Sequence, residues 1–175
     1  MLIRTMRKFK RRFLKYISNI VSPIEYKDKL WSIKIYLLRK AGIIIKGQNT
    51  IISRGFDFIE GNEHFIEIND YCSIGHNCNI WAFHKVQINT FTTLAANVTI
   101  TNGSHNKNSF EPYSGELIIG KGVWIGVNAL ISGSITIGDN SIIGAQSNVI
   151  KDVPKNAIVA GNPAKVIGHR ELPSK

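Results

Sequence analysis

The sequence predicts an all-β solenoid, in which short parallel strands coil into a prism, preceded by a helical segment. Three observations support this fold class. Apolar residues recur every six positions from Ile66 onward, Gly or Asn follows most of them, and the register breaks only twice. A six-residue unit cannot bury its own apolar side chain, so it must stack on the units before and after it, as in solenoid proteins.

Residues 1–42 form a separate, basic segment. Residues 1–46 hold 13 Lys and Arg against two acids, whereas the other 129 residues hold 9 basic and 10 acidic side chains. The formal net charge of +10 therefore describes one end of the chain. Because the remainder has no general attraction for polyanions, we expect no nucleic-acid partner.

Apolar residues spaced three or four apart predict two amphipathic helices in this segment. The first helix breaks near Pro23, and its apolar stripe consists of Leu2, Met6, Phe9, Phe13, Tyr16 or Ile17, and Ile20. The second helix runs from about Tyr26 to Lys40 and ends before Gly42, and its stripe consists of Tyr26, Leu30, Ile33 and Leu37.

Two interpretations of these stripes stay open: they cap the main domain, or residues 1–22 lie on a membrane surface. Residues 1–15 contain seven cations and no acid, interleaved with Phe and Leu, which suits anionic lipids. The sequence has no uninterrupted apolar stretch long enough to span a membrane and no recognisable signal peptide. We expect a cytoplasmic protein, with peripheral contact at the inner face of the membrane under the second interpretation.

Residues 43–170 form the predicted solenoid domain. Its apolar positions in six-residue register are Ile68, Ile74 and Ile80, then Ile88, Leu94 and Ile100, then Ile119, Ile125, Ile131, Ile137, Ile143 and Val149. Three six-residue units make one triangular coil. The first break then inserts two residues, and the second inserts thirteen. Residues 43–65 read as an earlier, degenerate coil, and the segment after Val149 closes the far end.

The thirteen inserted residues fall in segment 101–116, a polar loop ejected from the prism, which is a usual location for chemistry in a rigid solenoid. Cys72 and Cys78 lack the spacing of a zinc site or a disulfide framework, so we expect two buried, reduced thiols. No metal site is predicted.

Three stretches resemble the hexapeptide-repeat acyltransferases, and within them the maltose and galactoside O-acetyltransferases and the related polysaccharide O-acetyltransferases. They are Leu94–Thr99 with Thr101–His105, Val123–Gly126, and Val159–Ile167. The resemblance covers roughly residues 66–168. It implies a left-handed parallel β-helix, a homotrimer with sites between subunits, and acetyl-coenzyme A as the co-substrate.

His105 is the candidate catalytic residue, since it lies in the ejected loop at the spacing of the family's histidine. Acyl transfer requires deprotonation of the acceptor, and an imidazole is suited to this because it titrates near neutrality. A zinc site of the kind that γ-type carbonic anhydrases have would need a second, close His, and the loop contains none.

The resemblance also implies binding residues. Near the coenzyme it places Trp124, Val127, Ala145, Lys151 and Lys165. The family often has an Arg where this chain has Gly168, which leaves His169 or Arg170 for that phosphate contact. On the acceptor side we predict His84, in the two-residue insertion, and Asn102.

The predicted function is transfer of an acetyl group from acetyl-coenzyme A to a hydroxyl of a saccharide, such as a surface polysaccharide or its lipid-linked precursor. The same loop would serve an N-acetyltransferase for an amino-sugar nucleotide or a xenobiotic. A third possibility is a β-helix scaffold without activity, which the His105 loop disfavours. The acceptor itself is not encoded in any pattern of the sequence.

Overall fold

The computed structural model describes residues 12–17, 29–47 and 49–171. Helix α1 is described over residues 12–17, and helix α2 spans Lys29–Ala41. The strands are β1 (Ile44–Ile45), β2 (Ile51–Ile52), β3 (Asp57–Phe58), β4 (Ile66–Ile68), β5 (Ser73–Ile74), β6 (Asn79–Trp81), β7 (Val86–Ile88), β8 (Thr93–Leu94), β9 (Thr99–Thr101), β10 (Gly103–His105), β11 (Pro112–Ser114), β12 (Leu117–Ile119), β13 (Trp124–Ile125), β14 (Leu130–Ser132), β15 (Thr136–Ile137), β16 (Ile142–Ile143), β17 (Asn148–Val149), β18 (Ala157–Gly161) and β19 (Ala164–His169).

Three parallel sheets form the sides of a triangular prism of about six turns. Face A has the order β1-β4-β7-β12-β15, and face C has the order β17-β14-β9-β6-β3. Face B is β19-β18-β16-β13-β8-β5-β2, in which only the last pair, β18 and β19, is antiparallel. Each coil visits the faces in the order A, B, C, so each strand of the coils pairs with the equivalent strand of a neighbouring coil, whereas β10 pairs with β11 and β19 pairs with β18.

The residues in six-residue register form the core and confirm the predicted solenoid. Ile68, Ile74 and Ile80 are each fully buried, and so are Ile88 and Ile100 one coil later. Short strands therefore place one apolar side chain per face toward the axis, where it packs on the equivalent side chain of the next coil. The earlier coil exists as well, because β1, β2 and β3 pair with the first regular coil.

Helix α2 packs against the open end of the prism, but with a different face from the one predicted. Ile33 is 45% exposed, whereas Lys34, Ile35 and Leu38 are buried. The Lys34 ammonium donates a hydrogen bond to the carbonyl of Ser53 at 2.6 Å. The buried face of the helix is therefore rotated by about one residue from the predicted face. Lys34 can be buried there because its ammonium group has a backbone carbonyl as hydrogen-bond partner.

Helix α1 contacts the first coil through consecutive side chains. Leu14 packs on the core, and Lys15 forms an ion pair with Asp57 and donates to the Phe58 carbonyl at 2.9 Å. Phe13 and Tyr16, which belong to the predicted apolar stripe, are 55% and 66% exposed and do not take part in this capping contact. The other predicted stripe residues of this helix (Leu2, Met6, Phe9 and Ile20) and the start of the second helix at Tyr26 lie outside the described residues.

One edge of the prism, between face C and the next face A, carries all the enlarged connections. We call it the A/C edge and define it by residues 59–65, 82–85, 102–116, 133–135 and 150–152. Phe58 and Ile68 are ten residues apart rather than six, so the first coil is enlarged here too, by a turn at Glu63–Phe65. The insertions of three successive coils therefore lie above one another.

Candidate active site

The ejected segment folds as a β-hairpin rather than as an irregular loop. Strand β10 pairs antiparallel with β11, and His105 lies opposite Pro112 in their register. At the hairpin tip, Asn106 accepts hydrogen bonds from the backbone N–H groups of Asn108 and Ser109, which closes the turn. The hairpin carries the His105 imidazole away from the prism into solvent.

His105 lines a pocket of about 410 Å³ between the hairpin and the insertion of the coil before it. The other lining residues are Phe83, Gly103, Ser104, Pro112, Tyr113 and Ser114. Phe83 is 48% exposed and Tyr113 is 55% exposed, so two aromatic rings offer open faces beside the imidazole. Aside from His105, every lining side chain is uncharged at neutral pH, and most of the wall is apolar.

Asn102 lies beneath this pocket and connects the two insertions. It is 1% exposed, and its Oδ1 atom accepts hydrogen bonds from the backbone N–H groups of Phe83 (2.9 Å) and His84 (3.4 Å). Its Nδ2 atom faces the carbonyls of His84, Lys85 and Gly115 at 2.9, 3.2 and 2.7 Å. Each polar atom of this amide is thus engaged with backbone, so Asn102 holds the pocket together instead of facing an acceptor.

His84 lies on the A/C edge next to the pocket, where it is exposed. Its ring is stacked parallel to that of Phe65, with centroids 6.2 Å apart and an interplanar angle of 8°. His64 in turn contacts Phe65, with centroids 4.1 Å apart. His84 therefore belongs to a row of rings that begins one coil before the pocket.

The residues expected near the coenzyme lie on other parts of the prism, with one exception. Trp124 is 54% exposed on face B, and Lys165 is exposed on the last strand of the same face. Val127 and Ala145 occupy successive turns between faces B and C, where the Ala145 backbone passes directly over Gly126. Lys151 alone lies on the A/C edge, beyond the hairpin.

A second depression, of about 340 Å³, borders Trp124. Phe91 and Arg170 line it, and the Arg170 guanidinium donates to the Gly122 carbonyl at 3.4 Å. Gly122 takes the left-handed conformation (φ 67°), and a Cβ atom there would lie 2.7 Å from the Oδ1 atom of Asn140. Of the two residues considered for the missing phosphate contact, Arg170 is the one beside Trp124.

Both cysteines are buried in the prism, as predicted. Burial raises the pKa of the Cys72 thiol to about 11 and also raises that of Cys78. Within the three described ranges, no group of three or more His, Cys, Asp or Glu is arranged to hold a metal ion. In the same part of the chain, no helix is long and apolar enough to cross a membrane.

Sequence reasoning missed Phe83, Tyr113 and the positioning role of Asn102. Phe83 carried a usable signal, because it lies in the same two-residue insertion as His84. Tyr113 had no such signal, since its position opposite Ser104 depends on the pairing of the hairpin.

Comparisons with known proteins agree with the fold. Residues 117–151 match the bacterial transferase hexapeptide family (six repeats). The galactoside O-acetyltransferase of Escherichia coli (strain K12) is 38% identical over 127 residues, which are 69% of this chain and 61% of that protein. The putative colanic acid biosynthesis acetyltransferase WcaF of the same strain is 28% identical over 81% of this chain and 77% of its own length.

A solved structure of a galactoside acetyltransferase in complex with coenzyme A superimposes with a TM-score of 0.70 and 26% identity. The match covers 94% of this chain and 81% of that one. Together with the family match, this likeness identifies the fold as a left-handed parallel β-helix. The chain spans only 61% of the length of the E. coli galactoside enzyme.

Proposed function

We propose that this chain is a hexapeptide-repeat acyltransferase that transfers an acetyl group from acetyl-coenzyme A to a hydroxyl of a saccharide, with His105 as general base. The observation that carries the proposal is the position of His105 on a hairpin beside an open pocket. The named relatives, a galactoside O-acetyltransferase and a putative colanic acid acetyltransferase, favour a saccharide hydroxyl over the amino group of a nucleotide sugar.

The reaction needs one proton transfer at the acceptor. Acetyl-coenzyme A supplies the acetyl group as a thioester. A ring nitrogen of His105 removes the proton from the acceptor hydroxyl while that oxygen attacks the acetyl carbonyl, and the same proton then goes to the departing thiolate. The products are the acetyl ester and free coenzyme A.

The coenzyme is proposed to lie along the turns that carry Val127 and Ala145. There the small side chain of Ala145 leaves the backbone accessible to a narrow pantetheine arm. Lys151, Lys165 and Arg170 are exposed cations that can meet its phosphates as charged hydrogen-bond donors. Trp124 provides an apolar wall beside Arg170.

We also propose that the active site forms between two protomers of a homotrimer. His105 projects from the A/C edge, whereas Trp124 and Lys165 lie on face B of the same prism. A rigid prism cannot bring these two sides together, so one substrate pair can touch both only if a second protomer contributes its face B.

A complementation experiment tests this arrangement. Inactive His105→Ala chains and inactive Trp124→Ala chains, coexpressed, should regain activity, because some interfaces then join an intact His105 hairpin to an intact Trp124. No recovery in mixed trimers, verified by native mass spectrometry, would mean that each site lies within one chain.

The N-terminal segment is proposed to hold the protein at an anionic membrane. Part of helix α1 does cap the prism, through Leu14 and Lys15, but Phe13 and Tyr16 face outward. Each nearby cation would add on the order of 1 kcal/mol of attraction to anionic lipid. Sedimentation with phosphatidylserine vesicles should be lost on deletion of residues 1–22 and weakened by Phe13→Ser with Tyr16→Ser; binding that survives both changes would contradict membrane docking.

The test of the main proposal is thiol release from acetyl-coenzyme A with a panel of sugars and nucleotide sugars. His105→Ala should lower kcat at least about 100-fold, the usual contribution of a general base. His76→Ala is the matched control, since His76 is an exposed histidine of an earlier coil away from the hairpin. A loss of less than about threefold in His105→Ala would refute the assignment.

A further inference from the structure

A row of aromatic rings extends from the His105 pocket along the A/C edge toward helix α1. We call Phe65, Phe83, His84 and Tyr113 the aromatic strip. Phe65 belongs to the first coil, Phe83 and His84 to the second, and Tyr113 to the hairpin of the third. Neighbouring coils are about 4.8 Å apart, so the strip is roughly 10 Å long.

The strip is held in place by backbone and side-chain contacts. The Phe83 ring lies directly against Gly103, where a Cβ atom would come within 2.3 Å of Phe83 Cδ2. Asn102 accepts hydrogen bonds from the backbone N–H groups of Phe83 and His84, and Phe65 packs on the core and lies parallel to the His84 ring. These contacts hold Phe65, Phe83 and His84 in place, and Phe83 and Tyr113 each remain about half exposed.

The charges around the strip indicate the class of ligand. Apart from His84, its side chains are uncharged at every pH near neutrality. Two ion pairs on the same edge, Arg12 with Glu60 at 3.2 Å and Lys85 with Glu116 at 3.0 Å, each balance their own charge. A nucleotide sugar would bring a diphosphate, which needs cations or backbone donors. A pyranose, in contrast, presents C–H bonds on its faces, and these stack well on aromatic rings.

Resting on the proposed function, we infer that the acceptor is a neutral saccharide of at least two rings. The ring that receives the acetyl group lies between Phe83 and Tyr113, with its hydroxyl at His105. The following ring stacks on His84 and Phe65. A strip of this length exceeds what a single sugar ring can cover, which is why a monosaccharide leaves its far half unused.

The test compares p-nitrophenyl glycosides of one neutral hexose, as mono- and disaccharides, with an amino-sugar nucleotide. We expect kcat/KM to be highest for the disaccharide. Phe83→Ala should lower kcat/KM about tenfold for both glycosides, mainly through KM. His84→Ala should lower kcat/KM for the disaccharide only, toward the monosaccharide value.

Phe110→Ala is the matched control, because Phe110 is a 77% exposed aromatic residue at the hairpin tip, outside the pocket. Direct binding of the disaccharide to His105→Ala, followed by saturation-transfer NMR, separates this inference from the catalytic proposal. Binding that is lost in Phe83→Ala supports the strip even if His105 proves not to be the base. Preference for the nucleotide sugar, or disaccharide binding unchanged by Phe83→Ala and His84→Ala, would overturn the inference.

Discussion

Replacing the buried Asn102 amide by a carboxylate gives the most discriminating test of how the pocket is built. Asn102→Asp keeps the shape of the side chain and the acceptor atom for Phe83 N–H. It converts Nδ2, which faces three carbonyl oxygens between 2.7 and 3.2 Å away, into an oxygen. Attraction therefore becomes repulsion at three contacts within one buried site.

The magnitude follows from these contacts. An amide NH2 group can satisfy two of the three carbonyls fully, and each net hydrogen bond contributes about 1 kcal/mol. Asn102→Ala also loses the hydrogen bond from the Phe83 N–H group at 2.9 Å, so it should cost about 3 kcal/mol. Asn102→Asp keeps that bond but should still cost about 3 kcal/mol or more, since its charge is buried without a partner. For a chain of this size about 3 kcal/mol corresponds to a melting temperature lower by about 6–12 °C.

Thermal unfolding monitored by circular dichroism, together with kcat and KM, measures both consequences. Asn108→Asp, on the exposed tip of the same hairpin, is the control and should leave both unchanged. A carboxyl group that faces carbonyl oxygens favours its protonated form. The loss of stability in Asn102→Asp should therefore become smaller as the pH falls toward 5. If Asn102→Asp melted within about 2 °C of the parent and kept its kcat/KM, the positioning role would be refuted.

Three further expectations concern the prism itself. Cys72 and Cys78 should not react with Ellman's reagent at pH 8 until the protein unfolds, because burial raises both thiol pKa values; prompt native reaction would show that the coils open. Burial lowers the pKa of Lys34 to about 8 from 10.5, so the unfolded chain binds more protons between these values. The free energy of unfolding should thus rise with pH in that window, by at most about 1.4 kcal/mol per pH unit, and Lys34→Met should abolish the rise in denaturant titrations; an unchanged slope would contradict this. Gly126→Ala should lower the melting temperature, since its Cβ atom would lie 2.6 Å from the backbone nitrogen of Ala145; an unchanged transition would mean that the turn yields easily.

Much of the fold could be predicted because one short rule repeats along the chain. Apolar residues recur every six positions from Ile119 to Val149, and this period predicts stacked coils. Helix α2 shows where such reasoning fails. Its pattern placed Ile33 inside, but Lys34 is buried instead, since the carbonyl of Ser53 on another element was available to it.

The candidate site likewise contains residues that the sequence could predict and residues whose position depends on tertiary contacts. His105 is a candidate because of a break in register, which is a property of the sequence alone, together with the spacing of the family that the sequence resembles. Phe83 and Tyr113 meet only because β10 pairs with β11 and because one enlarged turn lies over another. Asn102 was expected to contact the acceptor, and only its surroundings show that all its polar atoms are occupied.

The enlarged turns all leave the prism at the A/C edge, and this separates what can vary from what must stay constant. Strand pairing on the three faces does not depend on how long these turns are. A hairpin of another length or composition, grafted between Thr101 and Leu117, should therefore leave the coils and the proposed coenzyme surface intact. The coils thus form a constant scaffold, and the hairpin is a part that can be exchanged. New acceptors can be gained by replacing this loop without changing the fold of the coils.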